Sequence, residues 1–196
     1  DLFPWLCGVP KKVYAKMRFG AYRDIAVENV VTMSVEYENG ATGVFITSTH
    51  DLIGTDRLEI DFSKGKIVVD QSKTATVYRM KVDEKTYDEE MTPEKMHAVV
   101  SGGDQEKVYE TEIIEADDRW GFQHIEVIED FCRQITEGHG LLADGSEGIM
   151  GVNLANAAFL SAWLGREVEL PVDQDLFIEE LNKRIAEEGK FPLRDV

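Results

Sequence analysis

The chain has 196 residues, 43% of them hydrophobic and 30% charged, which is the composition of an ordinary soluble globular protein. Thirty-eight acidic residues against 21 basic ones give a formal net charge of −17, which disfavours nucleic acid and anionic membrane surfaces as partners. No apolar run reaches the roughly 18 residues of a membrane-spanning helix. Cys7 and Cys132 lie in apolar helical patterns, so we expect two buried free thiols and a cytoplasmic protein.

The chain opens with the apolar fragment LFPWLCG directly after Asp1, a pattern typical of the end of a helix. Gly8 and Pro10 suit the end of that helix, and we expect the chain to begin inside a helix of a larger protein. Residues 13–19 alternate between apolar and polar side chains, which predicts the first strand.

The most regular pattern runs from Val27 to His50. Side chains alternate between apolar and polar over residues 31–38, Asn39-Gly40 favours a tight turn, and residues 44–49 return as a second strand. We predict a long antiparallel hairpin in the middle of a sheet. One polar face of this sheet, either wetted or in contact with a partner, is expected to carry Thr32, Ser34, Thr47 and Thr49.

Further strands are predicted at residues 58–62, 67–70, 74–82 and 107–114. A short helix is expected to begin at Thr92-Pro93, because threonine is a good cap and proline suits the first helical position. From residue 120 the apolar period changes to 3.6, which predicts helices that end at Gly138 and Gly165. A short edge strand at 168–170 and a last helix capped by Asp173 would follow.

Each of these three helices has an apolar stripe. The first stripe consists of Ile125, Val127, Ile128, Phe131, Cys132 and Ile135; the second of Val152, Asn156, Phe159 and Trp163; and the third, expected to lie inside, of Phe177, Leu181 and Ile185. Asp144 and Glu147, three residues apart, resemble a capping box before the second helix.

Strands dominate the middle of the chain and helices its end. This segregation predicts an α+β fold, a mostly antiparallel open sheet with helices on one face. A βαβ alternation is absent, so we do not expect a doubly wound dinucleotide fold. Residues 1–196 are expected to form a single domain.

Common catalytic motifs are missing from the sequence. GxGxxG and GxxxxGK[ST] are absent, as are CxxC, HxH, HExxH and GxSxG. These absences argue against the usual phosphate-binding loops, a zinc site and the commonest serine hydrolase arrangement.

Single polar residues remain as candidates. His124 lies in the first turn of a predicted helix, where the helix dipole favours a neutral imidazole that can bind hydroxyl groups; packing beside Trp120 is the alternative. His50 is followed by Asp51 in a loop and is either functional or simply exposed. Arg23 either reaches a substrate carboxylate or hydroxyl or forms a surface ion pair. His97 and His139 are interpreted as surface residues.

Four segments, in this order, resemble the C-terminal half of Gfo/Idh/MocA-type oxidoreductases. They are DLFPWLCGVPKKV, VENVVTMSVEYENGATGVFITS, RLEIDFSKGKIVV, and the closing WGFQHIEVIEDFCRQITEG with LLADGSEGIMGVNLANAAFLSAWLGREVELP. The resemblance implies a fold like the C-terminal domain of glyceraldehyde-phosphate dehydrogenase. It also implies an NAD(P)-dependent dehydrogenase acting on a sugar, cyclitol or related polyol.

The resemblance also indicates what this chain lacks. The family's Rossmann domain, its Glu-Lys-Pro lysine and its catalytic histidine would all precede Asp1, so this chain is expected to hold neither a catalytic residue nor the cofactor and to be inactive alone. Trp120, Gln123 and His124 would face the substrate, and Asp1 and Trp5 would support the absent histidine. Assembly into a homo-oligomer through the sheet face is implied. The alternative is a non-catalytic α+β module for self-association or ligand binding.

Overall fold

The computed structural model describes residues 2–102, 108–116 and 121–188. Its helices are α1 (Leu2–Cys7), α2 (Glu84–Glu89), α3 (Pro93–Val100), α4 (Phe122–Glu137), α5 (Gly148–Leu164) and α6 (Gln174–Glu188). Its strands are β1 (Lys12–Phe19), β2 (Glu28–Glu36), β3 (Thr42–Ser48), β4 (Arg57–Phe62), β5 (Gly65–Asp70), β6 (Thr74–Met80), β7 (Tyr109–Glu115) and β8 (Val168–Glu169). No helix among these residues is long and apolar enough to cross a membrane.

The chain divides into two compact units. The first unit comprises residues 1–52 and 127–196, and the second comprises residues 53–126. Each unit has its own four-stranded antiparallel sheet, in the order β3-β2-β1-β8 in the first and β4-β5-β6-β7 in the second. The predicted α+β class with antiparallel sheets is confirmed.

The core of the first unit lies between its sheet and α5. The buried side chains are Val13 and Ala15 of β1, Met33 and Val35 of β2, and Leu154, Ala157, Ala158 and Leu160 of α5. Small residues let α5 approach closely, and the buried Ser161 Oγ accepts a hydrogen bond from Ala15 N at 2.9 Å and donates to Arg166 O at 2.6 Å. Helix α5 is apolar on nearly every side. The residues that meet the sheet are Leu154, Ala157, Ala158 and Leu160, which differ from the predicted stripe. Phe159 and Trp163 of that stripe pack in a row of rings with Phe177 of α6.

The second unit is an antiparallel meander. Gly65 begins β5 after the turn at Ser63-Lys64 with φ +144°, and a Cβ atom there would collide with Tyr78 O of β6. One face of this sheet carries a charged ladder in which Arg57 bonds Glu59 and Asp70, and Lys66 bonds Glu59 and Asp61. Val68 and Val77 are its buried hydrophobic residues among those described.

Several local predictions are confirmed. Thr92 Oγ1 accepts a hydrogen bond from Lys95 N, and Asp173 Oδ1 accepts one from Leu176 N. Asp144 caps a short 3₁₀ turn, Gly145–Glu147, through Ser146 N rather than α5 itself. Helix α2 was not predicted.

The central hairpin differs from expectation in two respects. In the described part of the chain β3 is an edge strand, so the hairpin lies at one side of its sheet. Thr47 pairs with Val31, whereas Thr32 pairs with Ile46, and Ser34 with Val44. Because neighbouring positions on a strand point to opposite faces, Thr47 lies on the face opposite Thr32 and Ser34. The exposed face is therefore mixed, with Val44 and Ile46 beside the hydroxyl groups.

The predicted burial of the two cysteines and of the last helical stripe was also partly wrong. Cys132 is exposed and Cys7 is half-buried, and α4 has no buried residue. Ile135 on its stripe is 70% exposed, and Ile185 on the last helix is exposed too. Periodicity identifies an apolar face but does not specify what covers it.

Candidate functional site

One end of the first sheet gathers two loops. Strand β1 ends at Phe19, β2 begins at Glu28 and β3 ends at Ser48. Because these strands are antiparallel neighbours, the loop after β1 and the loop after β3 emerge at the same end of the sheet. The structure thereby brings together Arg23 and His50, two of the predicted site residues.

Arg23 and His50 are both fixed by the second loop. Arg23 Nη2 donates a hydrogen bond to Thr49 O at 2.7 Å, so the guanidinium group ties one loop to the other. His50 Nδ1 lies 3.1 Å from Ser48 Oγ, which also accepts from His50 N at 3.3 Å. Among the described residues Nε2 has no partner, so this nitrogen is the one that can meet a ligand.

Tyr22 is a site residue that the sequence did not reveal. Its backbone has the left-handed φ of 59°, uncommon for a residue with a bulky side chain, and its side chain is 81% exposed. The ring lies 5.2 Å from the His50 ring at 60°, and Arg18 Cζ lies 5.6 Å from its centroid. An exposed ring held in a strained conformation is a common feature of functional loops.

A buried amide holds Tyr22 in place. Asn29 is 2% exposed, its Oδ1 accepts from Ala21 N at 2.9 Å, and its Nδ2 donates to Ala21 O at 2.6 Å. Gly20, with φ +61°, is required because a Cβ there would lie 2.6 Å from Ile25 O. These contacts hold the first loop in one conformation. The sequence did not reveal this role, because Asn29 is simply a polar residue near the start of a predicted strand.

Basic side chains lie beside the cluster, together with the acidic Asp24 and Asp51 of the same loops. Arg18 is in register with Val30, and Val30 with Ser48, so these positions form one row across three strands that ends beside His50. Lys16 lies two positions from Arg18, on the same face of β1. Within the described residues neither Arg18 nor Arg23 forms an ion pair. We call Arg18, Tyr22, Arg23, Ser48 and His50 the loop cluster.

The other predicted site residues lie elsewhere or cannot be placed. Gln123 and His124 are exposed in the first turn of α4, and both belong to the second unit. Trp5 is exposed on α1, a helix whose Phe3 packs edge-on against Phe45 at 6.3 Å. Asp1 and Trp120 lie outside the described residues.

His139, expected at the surface, has a side chain that is 38% exposed and forms a pair with Asp130. Nε2 lies 2.9 Å from Asp130 Oδ1, and Oδ2 accepts from Leu142 N at 2.9 Å. The Leu142 hydrogen bond and then His139 hold the pKa of the Asp130 carboxyl below its usual range. The pair fastens the loop after α4, and no trio of metal-binding side chains occurs within the described ranges.

The connections between strands and helices bear on whether this chain could hold a dinucleotide. Dinucleotides are commonly held where a glycine-rich loop joins a strand to the N-terminus of a helix. β6 leads into α2 through residues 81–83 and β8 leads into α6 through residues 170–173, and neither connection contains glycine. The connection from β7 to α4 contains Gly121 and lies partly outside the described residues. The two fully described connections do not fit a dinucleotide.

Comparison with known proteins identifies the fold. The family model for the C-terminal α/β domain of the Gfo/Idh/MocA oxidoreductase family matches residues 1–170. A comparison with curated proteins gave no match.

Solved structures with the same fold include three oxidoreductases. Levoglucosan dehydrogenase, in complex with NADH and levoglucosan, has a TM-score of 0.64 at 16% identity, with 89% of this chain and 48% of that chain covered. An Agrobacterium radiobacter oxidoreductase, in complex with NAD+, L-tartaric acid and magnesium, has 0.60 at 18%, with 86% and 46% covered. Aldose-aldose oxidoreductase from Caulobacter crescentus, complexed with glycerol, has 0.56 at 16%, with 85% and 43% covered. This chain thus spans less than half the length of each.

Proposed function

The chain belongs to the Gfo/Idh/MocA oxidoreductase family, whose C-terminal domain it matches, and from this premise we propose that it is the substrate-binding and assembly domain of a dehydrogenase. The full-length protein would use NAD or NADP to oxidise or reduce a CH–OH group of a sugar, cyclitol or related polyol. The observation that supports a substrate role is the loop cluster, an exposed tyrosine with a histidine and an arginine fixed beside it.

The residues of this chain would orient hydroxyl groups. His50 Nε2 and the Tyr22 hydroxyl can each donate or accept a hydrogen bond, and Arg23 adds donors of fixed direction. Independently of the loop cluster, Gln123 and His124 are proposed as substrate contacts on the second unit, since both are polar, exposed and at a helix start. We propose that proton transfer and dinucleotide binding belong to residues outside this chain and that the chain alone is inactive.

Assembly is proposed through the exposed face of the first sheet. This face carries Thr32 and Ser34 together with Val44 and Ile46, a mixture of hydroxyl and apolar groups suited to an interface between two copies. A cytoplasmic location is proposed because Cys7 and Cys132 are free thiols.

The test is a titration of the chain with sugars and cyclitols, followed by amide chemical shifts, with NAD(H) titrated in parallel. Shifts at residues 20–24 and 48–51 with polyols, and weak or no response to NAD(H), are expected. In the full-length protein, Tyr22→Ala and His50→Ala should each lower kcat/KM by about tenfold or more, the equivalent of one substrate hydrogen bond.

The rival function is a non-catalytic module for self-association or ligand binding. It is favoured by the apolar residues Val44 and Ile46 on the open sheet face. Dimerisation in sedimentation experiments without any response to polyols would select it over the dehydrogenase.

A further inference from the structure

The loop cluster contains two arginines whose contacts differ from those of the ion-paired arginines in the second unit. With 38 acidic residues in the chain, most exposed arginines have a carboxylate available, as Arg57 and Arg79 do in the second unit. Arg18 instead lies over the Tyr22 ring and Arg23 bonds a carbonyl oxygen. Both guanidinium groups therefore keep their charge unneutralised by an ion pair within the described residues.

The guanidinium group of Arg23 is also held in one orientation. Because Nη2 is committed to Thr49 O at 2.7 Å, rotation of the planar group is restricted while other N–H donors remain. A restricted planar guanidinium matches the two oxygens of a carboxylate and loses little entropy on binding it. Asp24 and Asp51, the nearby acidic residues in these loops, each have an interaction of their own.

The backbone N–H groups of the two loops bear on whether the cluster suits a carboxylate or a phosphate. Phosphates are usually held by several free backbone N–H groups at a helix start or in a nest of turns. Here the N–H groups of Ala21, Arg23, Thr49 and His50 are all used, by Asn29 Oδ1, Gly20 O, Asn29 O and Ser48 Oγ respectively. These four N–H groups are therefore not available to an anion, and we expect side chains to supply most of the contacts, which suits one planar carboxylate.

The remaining groups suit hydroxyls next to that carboxylate. His50 Nε2 and the hydroxyl of the exposed Tyr22 ring belong to the same cluster: the two ring centroids lie 5.2 Å apart, and Arg18 Cζ lies 5.6 Å from the Tyr22 centroid. We infer that the loop cluster binds a hydroxylated carboxylic acid, an aldonate or uronate, with the carboxylate on Arg23 and Arg18 and the hydroxyls on His50 and Tyr22. This inference rests on the proposed polyol-binding function and narrows its substrate class to acids.

Gluconate and glucitol make a matched pair of probes, since they differ at one carbon, which bears a carboxylate in the first and a neutral hydroxyl in the second. Calorimetric titration of the chain at low salt should give a dissociation constant at least about tenfold lower for gluconate. Arg23→Gln and Arg18→Gln should each weaken gluconate binding much more than glucitol binding and so remove most of that preference. Arg79→Gln removes the same charge from the second unit and should change neither.

The possible outcomes distinguish failure of the carboxylic acid inference from failure of the proposed polyol binding. Equal affinity for gluconate and glucitol, or equal effects of Arg23→Gln and Arg79→Gln, would overturn the acid inference and leave polyol binding standing. Binding of neither probe would remove both. Preference for glucitol 6-phosphate over gluconate would overturn the carboxylate assignment. Circular dichroism monitors folding, and Arg18→Gln, which leaves the Arg23–Thr49 bond in place, tests the inference even if Arg23→Gln loosens the loops.

Discussion

The two units of the chain are built on similar sheets and stabilised differently. The first sheet buries one face under α5, where Leu160 is 1% exposed. The second sheet has two buried valines among the described residues and a ladder of charged pairs on one face. Apolar burial is worth more than exposed ion pairs, so we expect the first unit to be the more stable of the two. The loop cluster lies on that better-packed scaffold, which keeps its side chains in fixed positions.

The largest expected effect comes from the buried helix. Leu160→Ala should lower the free energy of unfolding by about 2–5 kcal/mol, because it leaves a cavity between α5 and the first sheet. Urea unfolding measures it. Ile114→Ala in the half-exposed β7 position is the control and should cost under about 1 kcal/mol; equal costs would refute the contrast between the units.

Gly65→Ala should break the second unit selectively. The left-handed φ and the collision with Tyr78 O together predict a loss of about 2–4 kcal/mol. Gly102→Ala is the control, since φ is +80° there but no atom lies within 4 Å of the added carbon. Hydrogen exchange should accelerate at Val68 and Val77 and remain slow at Val13. Acceleration in β1 as well would mean that the units unfold together.

Asn29→Ala tests how far the first loop depends on one amide. It leaves Ala21 N and Ala21 O without their partner, which predicts a loss of about 1–3 kcal/mol. Asn29→Asp retains the acceptor for Ala21 N and should lose less. Amide chemical shifts of residues 20–24 and polyol binding report on the loop, and unchanged binding in Asn29→Ala would show that the amide does not position the site.

Asp130 predicts a pH dependence confined to the acid range. Its carboxyl pKa is lower in the folded chain than in the unfolded one, so its contribution is fully present above the unfolded value near 4 (~3.9) and disappears as pH falls through the folded value. Asp130→Asn should therefore flatten the fall in Tm below about pH 4. Asp88→Asn, at an exposed position of α2, should leave that slope intact; a fall that is identical in Asp130→Asn would contradict the assignment.

The smallest effect is expected in the charged ladder. Arg57→Gln removes its exposed pairs with Glu59 and Asp70 and should lower the free energy of unfolding only slightly at low salt. The cost should shrink at high salt, because ions screen exposed charges. A cost that persists in 1 M salt would mean that the second unit depends on these pairs more than their exposure implies.

Local chemistry allowed much of the fold to be predicted. Alternation located β1 to β7, Asn39-Gly40 located the hairpin turn, and Thr92 and Asp173 were assigned as caps that the structure contains. Arg23 and His50 were also selected, because charged and polar residues at strand ends are common in sites. These signals succeed because each depends on a few neighbouring residues.

The sequence by itself determined the fold class, the strands, the acidic charge and the resemblance that the family match confirmed. Tertiary structure alone decided that the strands divide into two sheets, that Thr47 lies opposite Thr32, and that Cys132 is exposed. It also decided that Asn29, seven residues after Tyr22, fixes the loop that holds it. The physical reason is that periodicity reports which side of an element is apolar, whereas register, covering and loop geometry depend on partners distant in sequence.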